Sequence, residues 1–300
     1  MILTVSLNPA VDKTCEIERV QPGTVNRFKS AVSVAGGKGI NVTKILRQFH
    51  VPVMAVGFLG GTGGKLIEEA MEELGVECHF TKIKGQTRTN VNILAADGSV
   101  TELLEPGPVI REKELAEFRK QFSGGLEICE MVVLSGSVPE GVPADIYRQL
   151  IEECHQAGCK VILDTSGEAL REGLPAKPDL LKPNLKELEY LLGKKMDSAK
   201  LFAEETTRLC EQGVGKLVVS LGAEGLFYAD RNQDIYQAAK QVKAVNTVGC
   251  GDTVVASLCM SELAGDDPET ALQKAAALAA TNATTMENGR IPLETYLELL

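Results

Sequence analysis

The chain of 300 residues contains 44% hydrophobic residues and carries a formal charge of −10 at pH 7. This length allows one large α/β domain or two ordinary ones, and the negative charge argues against a nucleic-acid partner. No apolar run reaches the ~20 residues of a membrane span. The eight cysteines include no Cys-x-x-Cys pair and only three histidines are present, so we expect no zinc site and a reducing, cytoplasmic compartment.

The first segment, residues 2–7, has the continuous apolar character of a buried strand. Asp12 follows it closely, at the place where open α/β sheets bind ligands. Two other segments, 13–34 and 87–104, alternate polar and apolar residues with a period of two, which is typical of half-exposed strands. We therefore expect these two insertions to form one small β layer outside the main sheet.

A glycine-rich stretch, Ala35-Gly36-Gly37-Lys38-Gly39-Ile40-Asn41-Val42, leads into an apolar pattern of helical spacing. The paired glycines let a ligand approach the backbone at the start of that helix. Lys38 adds a positive charge there, and Asn41 follows one turn later. The Walker A spacing occurs nowhere in the chain. We favour a ligand-binding turn here; a plain strand-to-helix turn is the alternative.

A second glycine-rich stretch, residues 57–64, joins a strand at 53–57 to an amphipathic helix that ends near Gly75. Its spacing fails the Gly-x-Gly-x-x-Gly dinucleotide fingerprint because Leu66 occupies the last position. No acid follows at the expected distance along the chain. The sequence therefore argues against a dinucleotide site of the Rossmann type.

From about residue 113 the chain alternates between helices and strands. Residues 131–135, 160–164 and 216–220 form near-continuous apolar strands, and 143–157 is predicted to be a helix. This alternation is typical of a parallel sheet covered on both faces. Further helices are predicted at 252–264, 268–286 and 292–300.

The stretch Asn246-Thr247-Val248-Gly249-Cys250-Gly251-Asp252-Thr253 places two glycines and an acid before an apolar helix. A glycine-rich turn at a helix N-terminus presents unpaired N–H groups and binds anions, phosphate above all. Because a carboxylate repels phosphate, we interpret Asp252 as the base that takes a proton from an attacking hydroxyl. This predicts phosphoryl transfer to an alcohol; a capped turn is the alternative.

Together with three further motifs, this stretch resembles the ribokinase-like (PfkB) sugar kinases over essentially the whole chain. The four motifs are Ala35 to Val42, Lys182-Pro183-Asn184-Leu185-Lys186-Glu187, Ser220-Leu221-Gly222-Ala223-Glu224-Gly225 and Val248 to Asp252. The resemblance implies a ribokinase-like α/β fold with a central mostly parallel sheet, helices on both faces and a small β-sheet lid. It places the kinase core at 1–12, 35–86 and 105–300, and the inserted lid at 13–34 and 87–104.

On the phosphoryl-donor side, the resemblance implies that Asp252 is the general base. The N–H groups of Gly249, Cys250 and Gly251 would form the anion hole for the transferring phosphoryl group. Asn184 and Glu187 would hold Mg²⁺ with the phosphates of ATP, largely through water. The residues expected to border the nucleotide are Lys182, Asn184, Ser220, Gly222, Gly225 and Asn282.

On the acceptor side, the resemblance implies that a sugar is held by Asp12, Gly36, Gly37 and Asn41. Lys38, Arg88 and Arg27 would bind a phosphate that the substrate already carries, since guanidinium groups bind such a dianion well. A kinase of a neutral sugar would have no use for this cation cluster. For Arg27, an exposed charge on the lid is the alternative.

Two positions depart from the wider family pattern. Asn246 stands at a position that is often acidic in the wider family. In this respect the chain is similar to the phosphosugar branch. Cys250 stands where a smaller residue is common, and a thiol at a helix N-terminus tends toward a lowered pKa. We therefore hypothesise that alkylating agents inactivate the protein by blocking the anion hole.

The segments Leu7 to Asp12 and Lys84 to Arg88 are similar to the branch of 1-phosphofructokinases and tagatose-6-phosphate kinases. We expect an ATP-dependent kinase that converts fructose 1-phosphate or tagatose 6-phosphate to the bisphosphate. The alternatives are a kinase of an unphosphorylated sugar or nucleoside, and a sugar-phosphate sensor without catalytic activity. The half-exposed lid also predicts a homodimer through the lids.

Overall fold

The computed structural model describes residues 1–300 as an α/β fold with a large sheet and a small one. The strands of the large sheet, in spatial order, are Asp234–Ala238 (β13), Gly225–Ala229 (β12), Lys216–Ser220 (β11), Leu180–Leu181 (β10), Lys160–Asp164 (β9), Met131–Ser135 (β8), Ile2–Ser6 (β1), Val53–Leu59 (β4) and Glu77–Lys82 (β5). All neighbours from β11 to β5 are parallel, which confirms the predicted fold class.

The strands β12 and β13 extend the large sheet by two antiparallel pairings that the sequence did not indicate. Residues 230–233 form the turn between them, in which Asp230 accepts hydrogen bonds from the N–H groups of Asn232 and Gln233. Alternate residues of β13 are exposed because this strand forms the edge of the sheet.

The helices are Lys38–Gln48 (α1), Gly61–Glu73 (α2), Glu112–Leu126 (α3), Ile146–Gln156 (α4), Gly167–Gly173 (α5), Leu185–Leu192 (α6), Ala199–Glu211 (α7), Cys250–Ala264 (α8), Pro268–Ala283 (α9) and Leu293–Leu299 (α10). None of them combines the length and apolar character needed to cross a membrane. They cover both faces of the large sheet, since α3–α7 contribute to one apolar cluster and α1, α2 and α8–α10 to the other.

The alternation of side chains along each central strand explains this division into two clusters. Leu3 and Val5 of β1 pack into the first cluster with Phe118, while Ile2 packs into the second with Ile45. Both faces are therefore apolar, which is why the central strands have near-continuous hydrophobic sequences.

The small sheet contains Ser30–Gly36 (β3), Ala10–Ile17 (β2), Arg88–Ala95 (β6) and Val100–Leu104 (β7), in that spatial order. Its outer strands β3 and β7 have runs of consecutive exposed residues, so they are more exposed than the half-exposed strands that the period of two predicted. Asp12 of β2 pairs with Asn90 of β6, so the two side chains lie on one face of the sheet. The division of the chain into a core and a lid at the stated boundaries stays a prediction; β2 begins at Ala10, within the segment expected to belong to the core.

Candidate active site

A cleft of about 1260 Å³ lies at the carboxyl ends of the parallel strands. Ser6, Ser135 and Ser220, which end β1, β8 and β11, line its floor, and Asn90 and Asn92 of the small sheet line its other side. This is the edge at which open α/β sheets bind ligands. The cleft therefore lies between the large sheet and the small one.

Most of the residues singled out in the sequence meet in this one cleft. Those that line it are Asp12, Gly37, Lys38, Asn41, Arg88, Lys182, Asn184, Glu187, Ser220, Gly222, Gly225, Gly249, Cys250, Gly251 and Asp252. Gly36, Arg27 and Asn282 do not line it.

The turn before α8 has the geometry of an anion site. Gly249 adopts φ 81° at the N-cap, a conformation that favours glycine. No group in the protein accepts a hydrogen bond from the N–H of Gly249 or Gly251, whereas the Cys250 N–H makes a long contact of 3.4 Å with the Thr247 carbonyl. Unpaired N–H groups at a helix N-terminus attract negative charge.

Asp252 lies in the first turn of α8, and only 6% of its surface is exposed. The Asn41 amide donates a hydrogen bond of 2.8 Å to its Oδ2. Burial raises the pKa of Asp252 to about 7, although the charges of Lys38 and Lys182 and the Asn41 hydrogen bond act to lower it; the charge of Asp164 raises it further. A carboxylate with a pKa near neutrality is suited to accept a proton at physiological pH.

Two lysines share the buried carboxylate of Asp164, at the end of β9. The Oδ1 atom of Asp164 lies 2.8 Å from Lys38 Nζ and 3.4 Å from Lys182 Nζ. Burial raises the pKa of Asp164, but these two positive charges outweigh it and hold the pKa below its usual value. Burial likewise lowers the pKa of Lys38, but Asp164, Asp252 and Glu187 outweigh it and raise that pKa.

The side chains of Asn184 and Glu187 cap the start of α6. Asn184 Oδ1 accepts from the Glu187 N–H at 2.9 Å, and Glu187 Oε2 accepts from the Asn184 N–H at 2.8 Å. This capping box fixes both side chains at the wall of the cleft. No group of three or more His, Cys, Asp or Glu side chains is placed to hold a metal ion.

Asp12 lies on the other side of the cleft from the motifs at 182–187 and 220–225. It is buried, with only 3% of its surface exposed. Its Oδ1 accepts from the Asn90 amide at 3.0 Å, and its Oδ2 makes longer contacts of 3.4 Å with Gly37 N–H and the Asn288 amide. Gly36 lies directly behind this carboxylate, because a Cβ at Gly36 would lie 2.1 Å from Asp12 Oδ2. Asn90 and Asn288 were not singled out in the sequence.

The predicted cluster of three cations is not formed within this chain. Arg88 lines the cleft and donates from Nε to the Asn8 carbonyl and from Nη1 to the Glu105 carbonyl, at 3.2 and 2.8 Å. Lys38 also lines the cleft but is paired with Asp164. Arg27 lies in the exposed loop between β2 and β3 and does not line the cleft. Its position fits the alternative stated for it, an exposed charge on the lid.

Asn282 lies beneath the anion-site turn, and its contact with the nucleotide stays a prediction. Its amide donates to the Val248 carbonyl at 3.0 Å, and its Oδ1 accepts from the Gly289 N–H at 3.0 Å. Asn246 donates to the carbonyl of Met286 and to Asn288 Oδ1, which joins the same turn to the loop after α9. Both asparagines thus support the backbone that carries Asp252.

The expectation of a lowered thiol pKa at Cys250 is wrong. Burial raises the pKa of Cys250, and the charge of Asp252 adds to this effect, whereas a hydrogen bond with Asn282 acts in the opposite sense. The helix N-terminus does not lower the pKa of this thiol because the thiol is buried against α9, where Sγ lies 3.4 Å from the Ala279 carbonyl.

The large, mostly parallel sheet with helices on both faces and the small separate sheet define a ribokinase-like α/β architecture. The chain is similar to Arabidopsis thaliana ribokinase, solved with ribose and ATP, with 25% identity, coverage of 99% and 97% of the two chains, and a TM-score of 0.78. Residues 5–295 match the model of the pfkB family carbohydrate kinases. The chain belongs to this family and is a carbohydrate kinase.

Two further structures are similar to this chain over almost its whole length. Phosphofructokinase-2 from Escherichia coli, solved with substrates and products, is 27% identical, covers 99% of both chains and has a TM-score of 0.91. A protein of Thermotoga maritima described as a possible 1-phosphofructokinase is 27% identical, with 99% and 96% of the two chains covered and a TM-score of 0.90. The likeness to phosphofructokinases agrees with the branch that the sequence motifs indicated.

Proposed function

We propose that this kinase transfers a phosphoryl group from ATP to the free primary hydroxyl of a ketohexose monophosphate. The acceptor is fructose 1-phosphate or tagatose 6-phosphate, and the product is the corresponding 1,6-bisphosphate. The observation that carries the proposal is the buried carboxylate of Asp252 beside the unpaired N–H groups of Gly249 and Gly251. A sugar-phosphate sensor would need the anion site but not a base inside it.

In this reaction Asp252 accepts the proton of the sugar hydroxyl while the hydroxyl oxygen attacks the terminal phosphorus of ATP. The bond between that phosphorus and the bridging oxygen breaks, and ADP leaves with the bonding electron pair. The N–H groups of Gly249 and Gly251, together with Lys38 and Lys182, stabilise the negative charge on the transferring group. Phosphoryl transfer depends mainly on such positioning and charge stabilisation.

Asn184 and Glu187 fit an indirect role toward Mg²⁺. The capping box leaves Glu187 Oε1 without a protein partner, and no group of three or more His, Cys, Asp or Glu side chains forms a protein cage for a metal ion. Mg²⁺ commonly keeps several waters and takes its remaining ligands from nucleotide phosphates. When bound, the ion would neutralise charge on those phosphates, and Glu187 would orient its water ligands.

Several unpaired polar atoms support binding of a hydroxylated ring in the acceptor half of the cleft. Asn41 and Asn90 are buried, and the Oδ1 of each has no hydrogen-bond partner in the protein. A buried amide oxygen without a donor is costly, and a sugar hydroxyl would satisfy it. Asn41 can therefore accept from the sugar while its amide nitrogen holds Asp252.

Arg88 is the cation proposed to bind the phosphate that the acceptor already carries. Two of its donor atoms are fixed on backbone carbonyls, which leaves the other N–H groups of a pre-oriented guanidinium for an anion. A kinase of an unphosphorylated sugar or nucleoside stays the competing proposal and predicts no effect of removing Arg88.

The test is ADP release with Mg-ATP over a panel of acceptors: fructose 1-phosphate, tagatose 6-phosphate, fructose 6-phosphate, fructose and ribose. Fructose 6-phosphate is included because E. coli phosphofructokinase-2 has been solved in complex with it. The highest kcat/KM with fructose 1-phosphate or tagatose 6-phosphate supports the proposal and names the acceptor, whereas the highest value with fructose 6-phosphate supports a ketohexose monophosphate but contradicts the two named acceptors. Turnover confined to fructose or ribose contradicts it, and ligand binding without any turnover favours the sensor.

We also propose that two copies associate through their small sheets. Val32 and Leu104 lie on the face that carries Asp12 and Asn90, at the outer strands, and are 46% and 59% exposed. Exposed apolar side chains and free strand edges favour association with a second copy. A tetrameric form has been described for E. coli phosphofructokinase-2.

A further inference from the structure

Asp164 is a buried carboxylate behind the wall of the cleft, and it pairs with two lysines that line the cleft. It ends β9 and is 0% exposed. Its Oδ1 is shared by two lysines, and its Oδ2 has no hydrogen-bond partner in the protein. A buried charge is strongly unfavourable unless it is paired, and here the pairing with both lysines is made through Oδ1 alone.

The two lysines reach Asp164 from different halves of the site. Lys38 is the first residue of α1, in the glycine-rich segment of the acceptor side. Lys182 follows β10 and leads into the Asn184 capping box on the donor side. A Cβ at Gly251 would lie 3.4 Å from Lys182 Nζ, so this ammonium group lies beside the anion-site turn.

We propose that Asp164 is a positioning residue that holds the ammonium groups of Lys38 and Lys182 at the anion site. This inference rests on the phosphoryl transfer proposed for the site. Its one negative charge between two positive charges leaves a net positive charge beside the anion-site turn. Fixed charges that need no rearrangement are the most effective in stabilising charge that develops during a reaction.

The same cluster controls the environment of the base. The charged groups that act on Asp252 are Lys38 and Lys182, which favour its ionised form, Asp164, which disfavours it, and the more distant Lys44. Removing the charge of Asp164 leaves two ammonium groups without their counter-ion, and Asp252 then becomes a carboxylate they can pair with. The pKa of Asp252 should therefore fall in such a variant.

The decisive variant is Asp164→Asn, which keeps the shape of the side chain. We expect kcat to fall ~10²–10³-fold, as for loss of pre-organised charge stabilisation, and the acid limb of kcat/KM against pH to move to lower pH. The ionisations of ATP and the sugar phosphate are the same for both enzymes and cancel in the comparison. A residue needed only for folding would lower the rate equally at every pH.

The matched control is Thr165→Val, which removes the buried hydrogen bond from Thr165 Oγ1 to the Gly136 carbonyl next to Asp164. It should leave the acid limb unchanged. A folded Asp164→Asn protein with an unshifted limb and a kcat within about threefold of the parent would overturn the proposal. If Asp164→Asn does not fold, it is replaced by Lys38→Met, Lys182→Met and the double variant. Losses in kcat/KM that are additive in the double variant contradict the proposal that Asp164 holds both lysines.

A second measurement separates this proposal from the proposed function. The Asp252 carboxyl can be titrated by ¹³C NMR without substrates, with Asp252→Asn identifying its signal. A lower Asp252 pKa in Asp164→Asn supports the charge cluster even if no acceptor on the panel is turned over. An unchanged pKa, in a protein that does phosphorylate a sugar, contradicts the role of Asp164 and leaves the function intact.

Discussion

The amide nitrogen of Asn41 lies 2.8 Å from Oδ2 of Asp252, although the two residues are 211 positions apart. Asn41 belongs to the first turn of α1 and Asp252 to the first turn of α8, so the contact joins the starts of two helices. It connects the segment that we propose to hold the sugar with the carboxylate that we propose as the base. One hydrogen bond therefore fixes the proposed base relative to the proposed sugar site.

Replacing Asn41 by Leu should move the acid limb of kcat/KM to higher pH. The hydrogen bond stabilises the ionised form of Asp252, so its loss raises a pKa that is already about 7. A hydrogen bond to a charged group contributes ~1.5–3 kcal/mol, which corresponds to a shift of about one pH unit or more. Thr43→Val is the control, because Thr43 is buried on the same helix but bonds to Thr4 and Gly39. An unmoved limb in Asn41→Leu contradicts the assignment of Asp252 as the base.

Asp252→Asn should reduce kcat by ~10²–10⁴-fold, the usual effect of losing a general base, while ATP and the sugar phosphate still bind. Isothermal titration of both ligands and ADP release at saturation measure the two parts. Turnover close to that of the parent would show that another group takes the proton.

The same variant should be more stable than the parent at neutral pH. The pKa of Asp252 rises from 3.8 to about 7 on folding, so its protonated form contributes stability that is present below pH 4 and lost as pH rises through 7. Asparagine carries no such penalty, and we expect a gain of about 1–3 kcal/mol at pH 8. Melting temperatures at pH 5 and pH 8 check the sign, because the advantage of Asp252→Asn should be larger at pH 8.

The positions of the central strands along the chain follow from features that are local in sequence. Residues 131–135, 160–164 and 216–220 are apolar runs with clear ends, and the structure confirms each as a strand. The edge strand β13 was missed because its short alternating pattern is not different from that of a surface loop. Local patterns therefore define the buried elements better than the exposed ones.

The site was predictable where a motif supplies the whole geometry, as at Gly249 and Asp252. It was not predictable where the role depends on distant partners. Asp164 is the last residue of the predicted strand 160–164, and its pairing with Lys38 spans 126 positions. Asn282 was predicted to border the nucleotide, and the sequence did not indicate its contacts with Val248 and Gly289 under the anion-site turn.

Arg88→Ala should raise the KM for the phosphorylated ketohexose by ~10²-fold with a smaller effect on kcat, because it removes a charged hydrogen-bond donor to a group that does not react. The KM for ATP should not change. Arg111→Ala, an exposed arginine that does not line the cleft, is the control. If Arg88→Ala leaves kcat/KM for the best acceptor unchanged, the kinase of an unphosphorylated sugar becomes the better proposal.

Val32→Glu should convert a dimer into a monomer, since it places a charge within the exposed apolar face of the small sheet. Light scattering at working concentration measures the mass. Ile128→Glu changes a side chain of similar exposure, 54%, at the opposite end of β8 from the cleft and should leave the mass unchanged. A parent protein that is already monomeric contradicts association through this sheet.

Cys250 should react slowly with iodoacetamide at pH 7, more slowly than an unhindered thiol. The thiolate is the reactive form, and burial raises the pKa of this thiol, so the ionised fraction is reduced. Mass spectrometry of the Cys250 peptide over time measures the rate, which should increase as the pH is raised. Cys250→Ala should retain activity, because the anion site uses backbone N–H groups and not the thiol. Rapid inactivation at pH 7 that disappears in Cys250→Ala would show that the helix N-terminus activates the thiol after all.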